Sequence, residues 1–290
     1  PMVRLSHRAL GPYYSGPVFV WDIDKTYLDT RFSQLKHLLR IPFEFGIDKR
    51  AITGTVELLH GIRQGPGGRE YRPLYFVSAS PPQLRWAIEK KMLLDGIEFD
   101  GITYKNPLEV LKKGQFDQLK EQVAFKLSAL VLLYTELPDG AEFYLFGDDV
   151  ERDALIYCLF GDLAAGRLRG ARLTATLVSV GVRQEYAEAL AGAAQGLPVR
   201  EAVKGCYIHL TRRPGGESIR EFGPAVTGWP TAAAAAAPLG ARGLLTEADA
   251  ERVRQGSADS LPIPGPAAPG AEGFLTPQHL LAPADGLEPR

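Results

Sequence analysis

Short apolar runs alternate with longer amphipathic stretches between residues 14 and 182. The runs are PVFVWD (17–22), LYFVS (74–78), GITY (101–104), EFYLFG (142–147) and TATLVSVGV (174–182). Each is brief, rich in β-branched or aromatic residues, and nearly continuous rather than alternating. That is the pattern of strands buried on both faces, as in a parallel sheet. Between the runs, apolar positions recur at helical spacing. In KEQVAFKLSALVLLY, the residues Val123, Leu127, Leu130 and Tyr134 fall on one face. In PPQLRWAIEKKML, Leu84, Ile88 and Met92 lie four apart, behind Pro81 and Pro82, which suit a first turn. AITGTVELLHGI and VERDALIYCLF read the same way. Strands alternating with helices predict an α/β fold with a mainly parallel sheet.

The texture changes after residue 196. A strand-like VKGCYIHLTRR (203–213) precedes an alanine run at 232–237 and the helix-like LLTEADAERVRQ. The expected organisation is a catalytic domain over 14–196 and a C-terminal extension over 197–256 packed on the core. Residues 257–290, heavy in Pro, Ala and Gly and without periodicity, read as a flexible tail. The alanine run fits either a helix or low-complexity filler, and no internal repeat is visible.

Composition narrows the function classes. With 33 basic and 34 acidic residues the net charge is -1, so no global basic field gathers nucleic acid, and none is expected as a partner. Cys158 and Cys206 lie in no CxxC or Cys/His cluster, which leaves neither a disulfide framework nor a zinc site. No apolar stretch is long enough for a membrane span, and the first thirty residues lack the order of a signal peptide. A reducing, cytoplasmic setting is the expectation, with peripheral attachment at a membrane as its variant.

In an open α/β sheet, ligands sit beyond the carboxyl ends of the strands. The first run ends in Asp22-Ile23-Asp24-Lys25-Thr26. A carboxylate at a strand tip can attack phosphorus and form an acyl phosphate. A second one two residues on can protonate the leaving oxygen and later deprotonate water. The bland alternative is a surface Asp pair in a turn. The second run ends in Ser78, followed by Ala79 and Ser80. Ser78 is the better phosphate ligand, aided by backbone N–H groups, and Ser80 the better helix cap. Lys126, near the start of an amphipathic helix, is the candidate cation for the phosphoaspartate, with Lys105 in YKNP as its rival. The fourth run ends in Gly147-Asp148-Asp149, with Asp153 one helical turn further on. Mg²⁺ takes oxygen ligands in an octahedron, and carboxylates at a strand tip and the next helix start can hold it. Asp148 or Asp149 also reads as an ordinary helix cap. The five histidines show no metal spacing and carry no role.

DxDxT, then Ser, then Lys, then GDDxxxD, in this order, resembles the haloacid dehalogenase superfamily of phosphohydrolases. The resemblance implies a three-layer α/β/α, Rossmann-like domain whose five-stranded sheet is ordered 5-4-1-2-3. It implies Asp22 as nucleophile, Asp24 as general acid/base and Lys126 as stabilising cation. Thr26, Ser78, Ala79 and Ser80 then belong to the phosphate site, and Asp22, Asp24, Asp148, Asp149 and Asp153 to the Mg²⁺ site. Dehalogenases lack the second aspartate, so Asp24 favours phosphatase chemistry. The stretches VSASPPQL, AFKLSALVLLYTELPDGAEFYLFGDD and ERDALIY look like the catalytic domain of the actin-patch phosphatidate phosphatase family. Two positions depart from that family: Lys25 stands where an aspartate is usual, and Asp149 where a small residue is. A cation at Lys25 changes the charge beside the phosphate and bears on substrate identity.

The interval between Asp22 and Ser78 holds little beyond a helix (49–63) and the turn GPGG, which implies a minimal cap and an open site. The expected activity is a Mg²⁺-dependent phosphomonoesterase with a phosphoaspartate intermediate, acting on phosphatidate or a related phospholipid. The alternatives are a phosphatase for a soluble phosphoester (nucleotide, sugar or protein) and a non-catalytic scaffold with the same fold.

Overall fold

A computed structural model describes residues 2–258 except 6, 30–49, 81–83, 106–114, 213–215 and 218; for 115–121 it describes the backbone alone. In chain order the elements are β1 (Met2–Leu5), β2 (Ser15–Asp22), α1 (Thr55–Gln64), β3 (Leu74–Ser78), α2 (Arg85–Leu94) and β4 (Gly101–Lys105). There follow α3 (Gln115–Glu136), β5 (Gly140–Asp148), α4 (Asp153–Ala164), α5 (Gly170–Ser179) and α6 (Gln184–Ala194). The chain continues through β6 (Val203–His209), a 3-10 turn (Arg220–Phe222), β7 (Val226–Trp229), α7 (Ala232–Ala241) and α8 (Glu247–Ala258).

All seven strands join one Rossmann-like sheet in the order β1-β4-β3-β2-β5-β6-β7. Every pairing is parallel except β1 with β4, which is antiparallel. The sheet thus has seven strands rather than five, and its order differs from 5-4-1-2-3. Two of the additions are β1, an edge strand ahead of the expected domain, and β7 at the other edge. The expected fifth strand at 174–182 is instead mostly helix α5, and the place beside β5 belongs to β6. The run TATLVSVGV is β-branched in composition, yet Leu173, Thr176, Leu177 and Val180 are buried three or four positions apart. Burial at that spacing marks one helical face, and it overrides local propensity. Residues expected in a C-terminal extension therefore supply two strands of the same sheet, and their helices α7 and α8 pack against α1. Of the expected tail only 257 and 258 are described, at the end of α8; 259–290 lie outside the described residues.

Side-chain parity along the strands builds a core on each face. Val18 and Val20 of β2, with Phe143 and Leu145 of β5, meet Leu127, Leu130, Leu155, Leu177 and Leu190 of α3 to α6. Phe19, Trp21, Tyr144 and Phe146 point the other way, into Leu58, Ile88, Ala235 and Val253 of α1, α2, α7 and α8. Each fully buried apolar side chain of this size is worth about 1.5–3 kcal/mol relative to exposure. The chain leaves β2 toward β3 on one side and returns to pair β5 on the other. Between β2 and β5 the winding reverses, and at such a switch point α/β sheets open a crevice at their carboxyl ends.

Candidate active site

Asp22 closes β2 at this crevice, and its parity matches Val18 and Val20, so its carboxylate faces the α3 side of the sheet. Lys126 rises from α3 to meet it: Nζ lies 2.9 Å from Asp22 Oδ1, 2.6 Å from Asp153 Oδ1 and 3.1 Å from Glu151 Oε2. All four side chains are buried. Burial alone pulls the ammonium down, but Asp153, Asp22 and Glu151 together outweigh it and hold its pKa well above the usual lysine value. Lys105 is also buried, but it ends β4, two strands away from β2.

The loop after β5 is organised by Asp148. Its Oδ1 accepts the backbone N–H groups of Val150 and Glu151, the latter at 2.9 Å. Arg152 then takes a left-handed conformation (φ 66°), and α4 starts at Asp153. Asp153 Oδ2 in turn accepts from the Asp148 N–H at 3.0 Å, so both of its oxygens are in use. Gly147 makes room for this return: a Cβ there would overlap Asp153 Oδ2. Asp149, expected at the metal, turns outward instead. It accepts from Thr211 N and Oγ1 at 2.9 and 2.7 Å and from Arg212 N at 3.1 Å.

Asp24 sits one turn past β2, where Lys25 adopts φ 62° and Tyr27 and Leu28 donate back to the Ile23 carbonyl. Ser80 Oγ donates to Asp24 Oδ2, and Ser80 N donates to Ser78 Oγ at 3.1 Å. Ser80 is thus bonded to the carboxylate, and the N-cap of α2 is Leu84, without a side-chain cap bond. Pro81 and Pro82 lie outside the described residues. Thr26 Oγ1 donates to Asp22 Oδ2 at 3.4 Å, and Ala79 is half-buried against the α3 core.

The structure brings Asp22, Asp24, Thr26, Ser78, Ser80, Lys126, Asp148 and Asp153 to one edge of the sheet, and it adds Glu151. Oxygens of Asp22, Asp148 and Glu151 lie within 4.8 Å of one another. Opposite ligands on Mg²⁺ stand roughly 4.2 Å apart when each bond is about 2.1 Å. Three buried carboxylates this close together could hold a metal ion. Four buried oxygens point the same way. Asp24 Oδ1 and Asp148 Oδ2 have no hydrogen-bond partner among the described residues, and Asp22 Oδ1 and Glu151 Oε2 face only the lysine charge. Burial raises the pKa of Asp22, Asp148 and Glu151, and mutual repulsion adds to it, against the pull of Lys126. One ammonium does not balance so many carboxylates, and a bound cation would.

Sequence reasoning passed over Glu151, whose position three residues after Asp148 resembles ordinary helix-start charge. It also assigned no role to His209, which ends β6 at the same edge. Spacing within GDDVERD carries the signal for Glu151; His209 is brought in by sheet pairing alone. Comparison of the chain with family models, with curated proteins and with solved structures finds no match.

Proposed function

We propose that the chain is a Mg²⁺-dependent phosphomonoesterase of the haloacid dehalogenase type, with Asp22 as the nucleophile. The observation that carries this reading is the Asp22 carboxylate buried at the switch point, with the Lys126 ammonium at 2.9 Å beside an acidic triad that could hold a metal ion. A nucleophile must be anionic, and burial works against that; Lys126 supplies part of the compensating charge. Asp22, Asp148 and Glu151 would hold Mg²⁺, which when bound supplies positive charge to the transferring phosphoryl group and completes that compensation.

Asp22 attacks phosphorus and the ester oxygen leaves, taking a proton from Asp24. Asp24 then removes a proton from the water that cleaves the acyl phosphate, which returns Asp22 as a carboxylate. Ser80, bonded to Asp24, holds that carboxylate toward the crevice. Ser78 and Thr26 line the space for the phosphate oxygens. The resemblance to phosphatidate phosphatases names a phospholipid as substrate class, and no helix among the described residues is long and apolar enough to cross a membrane.

The test is phosphate release from phosphatidate in mixed micelles, p-nitrophenyl phosphate, nucleotides and sugar phosphates, with Mg²⁺ or EDTA, beside Asp22→Asn. Release that requires Mg²⁺ and vanishes in the variant is expected, with phosphatidate preferred. Equal turnover by Asp22→Asn would overturn the mechanism, and preference for a nucleotide or sugar phosphate would move the substrate to the soluble class.

A further inference from the structure

Two acidic loops make the site, one after β2 and one after β5, and His209 bonds to both. The side chain of His209 reaches the first: its Nδ1 lies 2.6 Å from the Lys25 carbonyl oxygen. A carbonyl only accepts, so Nδ1 carries the hydrogen. The backbone carbonyl of His209 reaches the second loop, accepting from Asp149 N at 3.1 Å. The residue is buried, and its ring stacks on Trp229 with centroids 4.4 Å apart. Lys25 is the left-handed residue of the turn, directly after Asp24, and a non-glycine residue in that conformation persists only where its surroundings hold it.

We propose that His209 is a positioning residue: its N–H fixes the strained Lys25 turn and so aims the Asp24 carboxylate at the crevice. Burial lowers its pKa, which keeps the ring neutral with one hydrogen to give. Asp24 itself is held from the opposite side by Ser80, so the turn is clamped between β3 and β6. The inference rests on the phosphomonoesterase reading for its catalytic consequence, while the clamp is a property of the turn in any case.

Two variants separate the N–H from the ring. His209→Phe keeps a ring against Trp229 and loses the donor; His209→Asn keeps a donor at the place of Nδ1 and loses the ring. Steady-state kinetics with p-nitrophenyl phosphate and Mg²⁺ should show kcat about tenfold or more lower in His209→Phe, with KM within about twofold. His209→Asn should keep most of kcat while melting at a lower temperature. Amide hydrogen exchange at Lys25, Tyr27 and Leu28 should quicken about five- to tenfold in His209→Phe alone, the equivalent of one lost hydrogen bond. Unchanged kcat and exchange in His209→Phe would overturn the proposal. So would a loss of kcat in His209→Asn equal to or greater than that in His209→Phe, since the donor would then not be what matters. If the wild type releases no phosphate from any substrate, the functional reading fails, and the exchange rates alone decide the clamp.

Discussion

Gly147 is a glycine because Asp153 occupies the space where its side chain would be. A Cβ at this position would also meet Asp153 Cβ at 2.5 Å and Cγ at 2.6 Å, and both are tethered by the Lys126 and Asp148 bonds. Gly147→Ala should therefore lower stability by about 1–3 kcal/mol, the usual result of overpacking. It should also displace Asp153 from the ammonium, which urea unfolding and phosphate release measure together. Loss of neither would mean that α4 shifts freely, against the bonds seen here. At this scale much of the site was legible. Asp22, Asp24, Lys126, Asp148 and Asp153 are brought together as their motif order implies. Asp149 and Glu151 were not legible in this way, because Asp149 is turned to Thr211 and Arg212 beyond β6, and Glu151 lies in the loop that Asp148 Oδ1 organises.

Helix α7 shows what the pattern of a segment does and does not reveal. Its alanines are uninformative as a string, yet Ala232, Ala235, Ala236 and Leu239 form the buried stripe. Small side chains there let the helix lie close over the row of rings formed by Trp21, Phe146 and Tyr207, stacked 4.2 and 4.8 Å apart, and by Trp229. Thr231 starts the helix by accepting from Ala234 N. Thr231→Ala should cost roughly 0.5–2 kcal/mol, read as a lower urea midpoint at unchanged slope. The opposite lesson comes from α5, where β-branched composition suggested a strand. Only neighbours in the fold decide such a segment, and the same holds for β6, whose strand character was plain but whose place beside β5 was not.

The whole molecule carries its acidic centre as a load that depends on pH. Asp22, Asp148 and Glu151 have folded pKa values raised above their unfolded values of 3.8, 3.8 and 4.5. A raised folded value means that the native state binds protons more tightly. Their contribution to stability is complete below the unfolded values and is lost as the pH rises through the folded ones. A divalent cation needs the deprotonated carboxylates, so its stabilisation grows as protons leave. The difference in melting temperature between Mg²⁺ and EDTA should accordingly grow as the pH rises from acid toward alkaline. Groups far from the triad are common to both arms and cancel. A difference that stays flat across this range would argue against a metal at the triad.

β2 stands in the middle of the sheet, and its neighbour β5 is on the order of a hundred residues further along the chain. At a translation rate of about 5–20 residues per second, the ribosome delivers β2 several seconds before that partner. During this interval β2 can pair on one side only, through β3, and its other edge offers unpaired backbone groups and an apolar face. Slower synthesis lengthens this exposure, so co-expression of a chaperone that binds extended apolar strands should raise the soluble yield of the recombinant protein.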